Sequence, residues 1–392
     1  MRREAALFGF REISTPIFEH TELFTIKSGP NVVEEIYAFQ DKGGREISLR
    51  PELTAPAMRF FVNELTNCPR PLKMFYFGQC FRYERPQSGR FREFYQFGAE
   101  LIGNPGPESD AEVIALAASI MRRVGLRQYS IRIGHIGVLR GALAQAGIDA
   151  DQAPPILQKL DKKEYEEAKA RMAEAGISSG EVERIIEITK TRGPVEALDK
   201  ISGEAKDHLA AVFRILSDYG FTNVEVDLGV VRGLDYYTGL VFEMDAPVLG
   251  AEKQICGGGS YSLTELFGGE RTFSTGFGIG FDRTLLALER EGYEAPPYHI
   301  DAYVIPVSEK MKDEAFKITA RLRKESISTE VDLMGRSISK NFKYAASINA
   351  QRAVIVGEKE LAQGSVAIRD MASGEQRLVA IENLVPEIRC DQ

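Results

Sequence analysis

Residues 81–100 read FRYERPQSGRFREFYQFGAE, and this stretch decides the fold class. An aromatic, apolar run (75–81) leads into it and a second strand-like run (91–102) leads out, with Pro86, Ser88 and Gly89 as turn formers between them. Two strands joined by a polar loop form a β-hairpin, and a hairpin implies an antiparallel sheet. The same stretch gathers Arg82, Arg85, Arg90 and Arg92 with Phe94 and Tyr95. Arg82 and Glu84 are expected on one strand face, because side chains alternate with period two. An arginine and a carboxylate on one face suit a phosphate and the exocyclic amine of a base. Nearby aromatics supply a stacking surface, and loop arginines reach further phosphates bidentately. An exposed, salt-bridged hairpin accounts for the same composition.

Beyond the hairpin, Asp110 is expected to cap a helix with apolar positions Val113, Leu116, Ile120 and Val124, closed by Gly125. Residues 129–133 alternate as a strand. From about 137 to 219 the strand pattern disappears, and 160–175 (LDKKEYEEAKARMAEA) reads as one charged, solvated helix. Strands return at 224–231, 240–244 and 253–256, and 275–287 runs from a glycine-rich segment into a helix. After the linker EAPPYH (294–299) the pattern becomes alternating. Strands are expected at 301–307, 328–333 and 352–356, helices at 309–323 and 337–348, and a hairpin at 365–369 with 376–380. The fold class is therefore α+β: an antiparallel sheet flanked by helices (1–136 and 220–295), a helical insertion (137–219) and a C-terminal α/β domain (300–392).

Composition narrows the functional classes. The 392 residues are 44% hydrophobic and 27% charged, with 49 Lys+Arg against 57 Asp+Glu for a formal net charge of −8. That sum disfavours global steering of a polyanion but leaves room for a local basic site. No run reaches the ~18 apolar residues of a membrane span, and the opening MRREAALFGFREI has no signal-peptide core. Cys68, Cys80, Cys256 and Cys390 are scattered without a CxxC pair, which fits a reducing, cytoplasmic setting. The four histidines (His20, His135, His208, His299) are also dispersed, so neither a histidine base nor a protein metal site is expected.

Two further segments carry polar chemistry. Arg232-Gly-Leu-Asp-Tyr-Tyr-Thr-Gly at a strand-to-turn transition suits a small-molecule pocket, although paired tyrosines also serve as core. The glycines at 257–259 and at 276, 278 and 280 fit either phosphate loops or tight packing beneath a site. GFGIGF lacks the GxGxxG spacing of a dinucleotide fold.

Taken together, these segments resemble the class II aminoacyl-tRNA synthetases, and within them the histidyl-tRNA synthetase family, over essentially the whole chain. FREISTPIFE (10–19) is similar to motif 1, the stretch at 81–100 to motif 2 and GFGIGFDR (276–283) to motif 3. LRPELTAP (49–56) resembles the amino-acid-binding turn, and VRGLDYYTGLVFE (231–243) the histidine-specific signature. The resemblance implies that Glu52, Thr54 and Gln96 hold the ammonium of L-histidine. Glu100 and Tyr237 would flank its imidazole, with Tyr236 completing the pocket. For ATP it implies Arg82 at the α-phosphate, Glu84 at the adenine amine, Arg90 toward the γ-phosphate, and adenine between Phe94 and Arg283. Arg232 and Arg82 would be the catalytic arginines, and Mg²⁺ would be bound through the ATP phosphates. The C-terminal module resembles an anticodon-binding domain in which Arg336, Lys340 and Lys343 share a helical face toward histidine tRNA. A cytoplasmic homodimer joined through motif 1 is implied.

The sequence departs from the family pattern at three places. An RGTRD-like segment usually precedes motif 1, whereas this sequence opens within the motif 1 helix, which bears on dimer stability and tRNA contacts. GGGSYS (257–262) stands where the family often has GGGRYD, for which reduced activity is expected. Phe91 replaces a common tyrosine. The rival reading is a catalytically silent, histidine-sensing regulatory paralogue of ATP phosphoribosyltransferase. Such proteins lack the anticodon module and tend to lose the arginines retained here at 82, 90, 232 and 283.

Overall fold

The strands on either side of the arginine-bearing loop extend over ten residues each and pair antiparallel from Leu72↔Ile102 to Phe81↔Glu93. The computed structural model describes residues 1–28, 30–84, 89–149, 151–230 and 237–389, which fall into two units, Met1–Tyr293 and Glu294–Gln392. In the first, the strands are β1 (Arg11–Glu12), β2 (Phe18–His20), β3 (Ala38–Gln40), β4 (Glu46–Leu49), β5 (Leu72–Phe81), β6 (Glu93–Ile102), β7 (Ser130–His135), β8 (Arg192–Gly193), β9 (Val224–Asp227), β10 (Tyr237–Asp245), β11 (Gln254–Tyr261) and β12 (Ser274–Gly280). One sheet runs β1-β5-β6-β12-β11-β10-β7-β9-β8, and β2-β4-β3 form a smaller one. The large sheet is antiparallel except where β1 meets β5 and β7 meets β9.

The helix Pro107–Val124 packs on β6, β11 and β12 with one face and on the helix Glu204–Asp218 with another. Coverage on two sides explains its composition: Ala111, Ala115, Ala117 and Ala118 permit close approach while Val113, Ile114, Leu116 and Ile120 fill the core with Phe97, Phe242 and Phe277. Gly125 closes it in the left-handed conformation (φ 89°), as expected. Asp110 is not its cap. Gly106 takes that place and Pro107 opens the helix, where its missing N–H costs nothing. Asp110 instead lies buried within the first turn. Its Oδ1 accepts from Ser260 Oγ (2.7 Å) and its Oδ2 pairs with His208 Nε2 (2.8 Å), tying this helix to β11 and to the helix Glu204–Asp218. Asp110→Ala strands both partners and is expected to cost roughly 3 kcal/mol of unfolding free energy, measured by urea titration. A loss below ~1 kcal/mol would show that the partners re-pair.

The charged stretch at 160–175 is two helices, Ala153–Asp161 and Tyr165–Glu174. Glu164 N donates to Lys159 O and Lys163 N to Leu160 O, a Schellman closure that puts Lys163 at φ 59°. Glycine usually signals that turn, so a lysine there hid the break. With the helices Ile136–Gln145 and Ser179–Thr189 these pack around Leu139, Leu157, Met172 and Ile185.

The second unit has β13 (Ile300–Pro306), β14 (Thr329–Val331), β15 (Ala350–Val356), β16 (Ser365–Asp370) and β17 (Gln376–Ala380) in the order β14-β13-β15-β16-β17. The first three are parallel and the last two antiparallel. The helices Lys312–Lys324 and Ile338–Ser347 pack against the sheet. The α+β class read from the sequence is the one observed.

Candidate functional site

A cleft of about 880 Å³ opens in the first unit, lined by residues of β6, β11 and β12 and by the turn at 51–54. β6 and β12 run in register, Gly276 opposite Glu100. A Cβ on Gly276 would lie 1.7 Å from Glu100 Oε2, and one on Gly278 2.6 Å from Gln96 Nε2. The motif glycines are therefore strand residues that make room for polar side chains, rather than a phosphate loop.

One set of side chains surrounds Glu100, which is fully buried. Tyr76 donates to its Oε1 (2.7 Å) and Tyr261 donates to its Oε2. Burial pushes this carboxyl up to about 7, against the opposing pull of the Tyr261, Tyr76 and Thr54 hydroxyls. Thr54 Oγ1 stands 3.1 Å from Tyr76 Oη, and Glu52 accepts from the Thr54 and Ala55 amides (2.6 and 3.0 Å) at the start of the helix Thr54–Phe60. Gln96 Oε1 accepts from Leu53 N (3.1 Å). Glu52, Thr54, Gln96 and Tyr237 line the cleft, whereas Glu100 sits behind Tyr261, which lines it. In the sequence Tyr76 resembles an ordinary strand aromatic, and Tyr261 stands out only as part of GGGSYS.

A second set is rich in arginine. β5 ends at Phe81: Arg82 N still donates to Arg92 O, but Tyr83 N donates to Glu35 O. The expected shared strand face of Arg82 and Glu84 is thus absent, because the chain changes hydrogen-bond partner there. Their side chains remain neighbours nonetheless, Arg82 Nη1 lying 4.0 Å from Glu84 Oε1. Arg82 Nε donates to Pro51 O (2.9 Å), and its guanidinium lies over Phe94, 5.1 Å from the ring centre. Phe94 is therefore covered on one face by Arg82. Arg283 donates to Gly89 O (2.9 Å) and Gln254 O (3.0 Å). Arg90 pairs with Glu84 (3.4 Å) and, together with Arg283, with Glu252, a carboxylate absent from the sequence reading. Among the described residues no histidine lines this cleft. Arg85, Arg232 and Tyr236 lie outside the described residues.

The two serines of GGGSYS are both engaged: Ser260 with Asp110, as above, and Ser262 Oγ with Thr272 O (3.5 Å). Phe91 lines the cleft. In the second unit, Arg336 precedes the helix Ile338–Ser347 rather than sharing its face. Its Nη1 donates to the buried Asp332 (3.0 Å), and its guanidinium lies 4.2 Å from the Tyr344 ring centre. Lys340 and Lys343 are exposed on the helix, and Lys343 shares a groove with Phe342 and Arg369. Among the described residues no helix is long and apolar enough to cross a membrane, and no group of three or more His, Cys, Asp or Glu is placed to hold a metal ion.

Residues 1–284 match the family model for histidyl-tRNA synthetase and residues 301–391 the one for the anticodon binding domain. A histidine–tRNA ligase of Archaeoglobus fulgidus is 44% identical over 392 residues, covering 98% of this chain and 92% of that protein. One from Methanosarcina acetivorans is 44% identical over 396 residues, covering 100% and 94%. Among solved structures, the histidyl-tRNA synthetase of Nostoc sp. PCC 7120 superposes with a TM-score of 0.83 at 26% identity, covering 100% of this chain and 94% of that one.

Proposed function

This chain belongs to the histidyl-tRNA synthetase family, and on that premise we propose how its cleft performs the family's reaction. The enzyme activates L-histidine with ATP to histidyl-adenylate, releasing pyrophosphate, and transfers the histidyl group to histidine tRNA. The observation that carries this reading is the meeting of two unlike sets at one cleft: a tyrosine wall backed by a buried carboxyl, and a cluster of three arginines. A carboxyl and a phenol can satisfy the two ring nitrogens of a neutral imidazole, and they leave buried polar groups unpaired when another amino acid enters. We assign the imidazole to Glu100 with Tyr237, Tyr236 and Tyr261, and the ammonium to Glu52, Thr54 and Gln96. The side chain reaches Glu100 by taking over one of its tyrosine partners.

The histidine carboxylate attacks the α-phosphorus. A P–O bond forms to it as the bond to the pyrophosphate oxygen breaks, so no protein nucleophile takes part. Both reactants are anionic, which makes the barrier electrostatic and positional. We assign Arg82 to the α-phosphate and Arg232 to the bridge between carboxylate and phosphate. Arg90 takes the terminal phosphates, and Phe94, Arg283 and Glu84 take the adenine. Mg²⁺ bound to ATP would offset the charge of its phosphates; of the chain's carboxylates, Glu84 and Glu252 lie beside Arg90, and both are already paired with arginine. Lys340 and Lys343, with Arg369 and the Phe342 ring, are proposed to meet tRNA phosphates and bases. We further propose a cytoplasmic homodimer formed through residues 10–19, where Ile17 and Phe18 are exposed and Phe18 packs edge-on to Phe39.

Histidine-dependent ATP–pyrophosphate exchange, run beside the other standard amino acids, tests the assignment. Exchange with histidine alone is expected. Its absence from a folded protein that still binds histidine would return the non-catalytic regulatory reading, which no observation here favours.

A further inference from the structure

Arg90, assigned to the terminal phosphates, and Arg283, assigned to the adenine, already hold an anion of the protein's own. Oε2 of Glu252 accepts from Arg90 Nε (3.1 Å), Arg90 Nη2 (3.0 Å) and Arg283 Nη2 (3.4 Å). Three N–H groups from two guanidinium forks thus converge on one carboxylate oxygen, which is how the same forks would grip a phosphate oxygen. The other nitrogens are committed elsewhere. Arg283 Nε and Nη1 donate to Gly89 O and Gln254 O, and Arg90 Nη1 reaches Glu84. The edges that meet at Glu252 are the ones aimed together at a single anion. The neighbouring Lys253 pairs with Asp245 (3.2 Å), so it offers Glu252 no competing partner.

We propose that Glu252 is a placeholder for the terminal phosphates of the nucleotide. Without nucleotide it keeps Arg90 and Arg283 paired and aimed; ATP displaces it, and it recaptures both arginines as pyrophosphate leaves. The proposal rests on the assignment of Arg90 to the terminal phosphates. The physical case is an exchange of anions. Burial already disfavours the charged form of Arg283, so an unpartnered guanidinium there would be costly. A carboxylate that must be displaced lowers the apparent affinity for every ligand requiring its place, and by the same factor for each. ATP and pyrophosphate are therefore weakened together, which lets the product leave without weakening the grip for substrate alone.

The test is Glu252→Gln in the full chain, which keeps the shape and removes the charge. Equilibrium binding of Mg-ATP and of Mg-pyrophosphate is measured by calorimetry at one magnesium concentration. Both dissociation constants are expected to fall by a common factor of about three to ten, the range of a partly exposed ion pair. Unchanged constants would overturn the proposal, making the contact incidental. Weaker binding of either ligand would also overturn it, making Glu252 a support for the arginines or a metal contact. Arg90→Ala tests the underlying assignment separately. If it leaves both constants unaltered, the triphosphate assignment itself fails; if it raises them while Glu252→Gln changes nothing, only the placeholder falls.

Discussion

Replacing Arg82 with alanine is expected to lower histidine-dependent ATP–pyrophosphate exchange by about a thousandfold, the usual cost of removing one fixed transition-state donor. Arg82 is fastened at one nitrogen to Pro51 O, within the turn that carries Glu52 and Thr54. Its remaining N–H groups are therefore oriented where the amino-acid and nucleotide halves of the cleft meet. Charge at the α-phosphorus builds during attack, so the loss should fall on kcat more than on the KM for ATP. Thermal stability should change little, because the side chain is 39% exposed and its removal buries no unpaired charge. Arg82→Lys should recover only part of the rate, since an ammonium is a point charge without the planar fork. A loss smaller than about tenfold would remove Arg82 from the chemistry. Arg232→Ala is expected to act as heavily, a statement resting on the family signature alone.

What could be read from the sequence, and what could not, divides by the range of the interactions. The hairpin, the helix Pro107–Val124 and the alternating C-terminal unit announce themselves through local periodicity and turn residues. The arginines of residues 81–100 are legible because they are close together in the chain. Glu252 is not: it ends an unremarkable turn, and Arg90, its partner, lies 162 residues away. Tyr261 reaches Glu100 across 161 residues, and Ser260 reaches Asp110 across 150. The glycines before Ser260 and Tyr261 mark a motif, but nothing in it points to Asp110 or Glu100. Even short-range errors have physical causes. Asp110 resembles a cap but follows a proline that had already started the helix, and Lys163 adopts a turn conformation usually marked by glycine. Gly276 and Gly278 are legible as motif residues. Their purpose, clearing room for Glu100 and Gln96, needs the register of β6 against β12.

Glu100→Gln is expected to separate two consequences of one buried carboxyl. The first is stability. Its folded value of about 7 lies above the ordinary glutamate value of 4.5, so the neutral form is the one the fold prefers. The stability associated with that form is complete below about pH 4.5 and lost as pH rises through about 7, a difference of roughly 3 kcal/mol. Glutamine is neutral throughout, so the variant should lose this slope and match or exceed the parent at pH 8 in urea titrations. The second is recognition. Imidazole N–H needs an acceptor, and the ionised carboxylate is a stronger one than an amide. Histidine binding by the parent should therefore tighten as pH rises through about 7. The variant should bind histidine at least ~100-fold more weakly, the penalty of losing a charge-assisted buried bond, and keep only the pH dependence of histidine's own ring. Equal pH profiles for histidine binding in parent and variant would mean that Glu100 shapes the pocket wall without meeting the imidazole. A stability slope that survives the substitution would instead place the titrating group elsewhere.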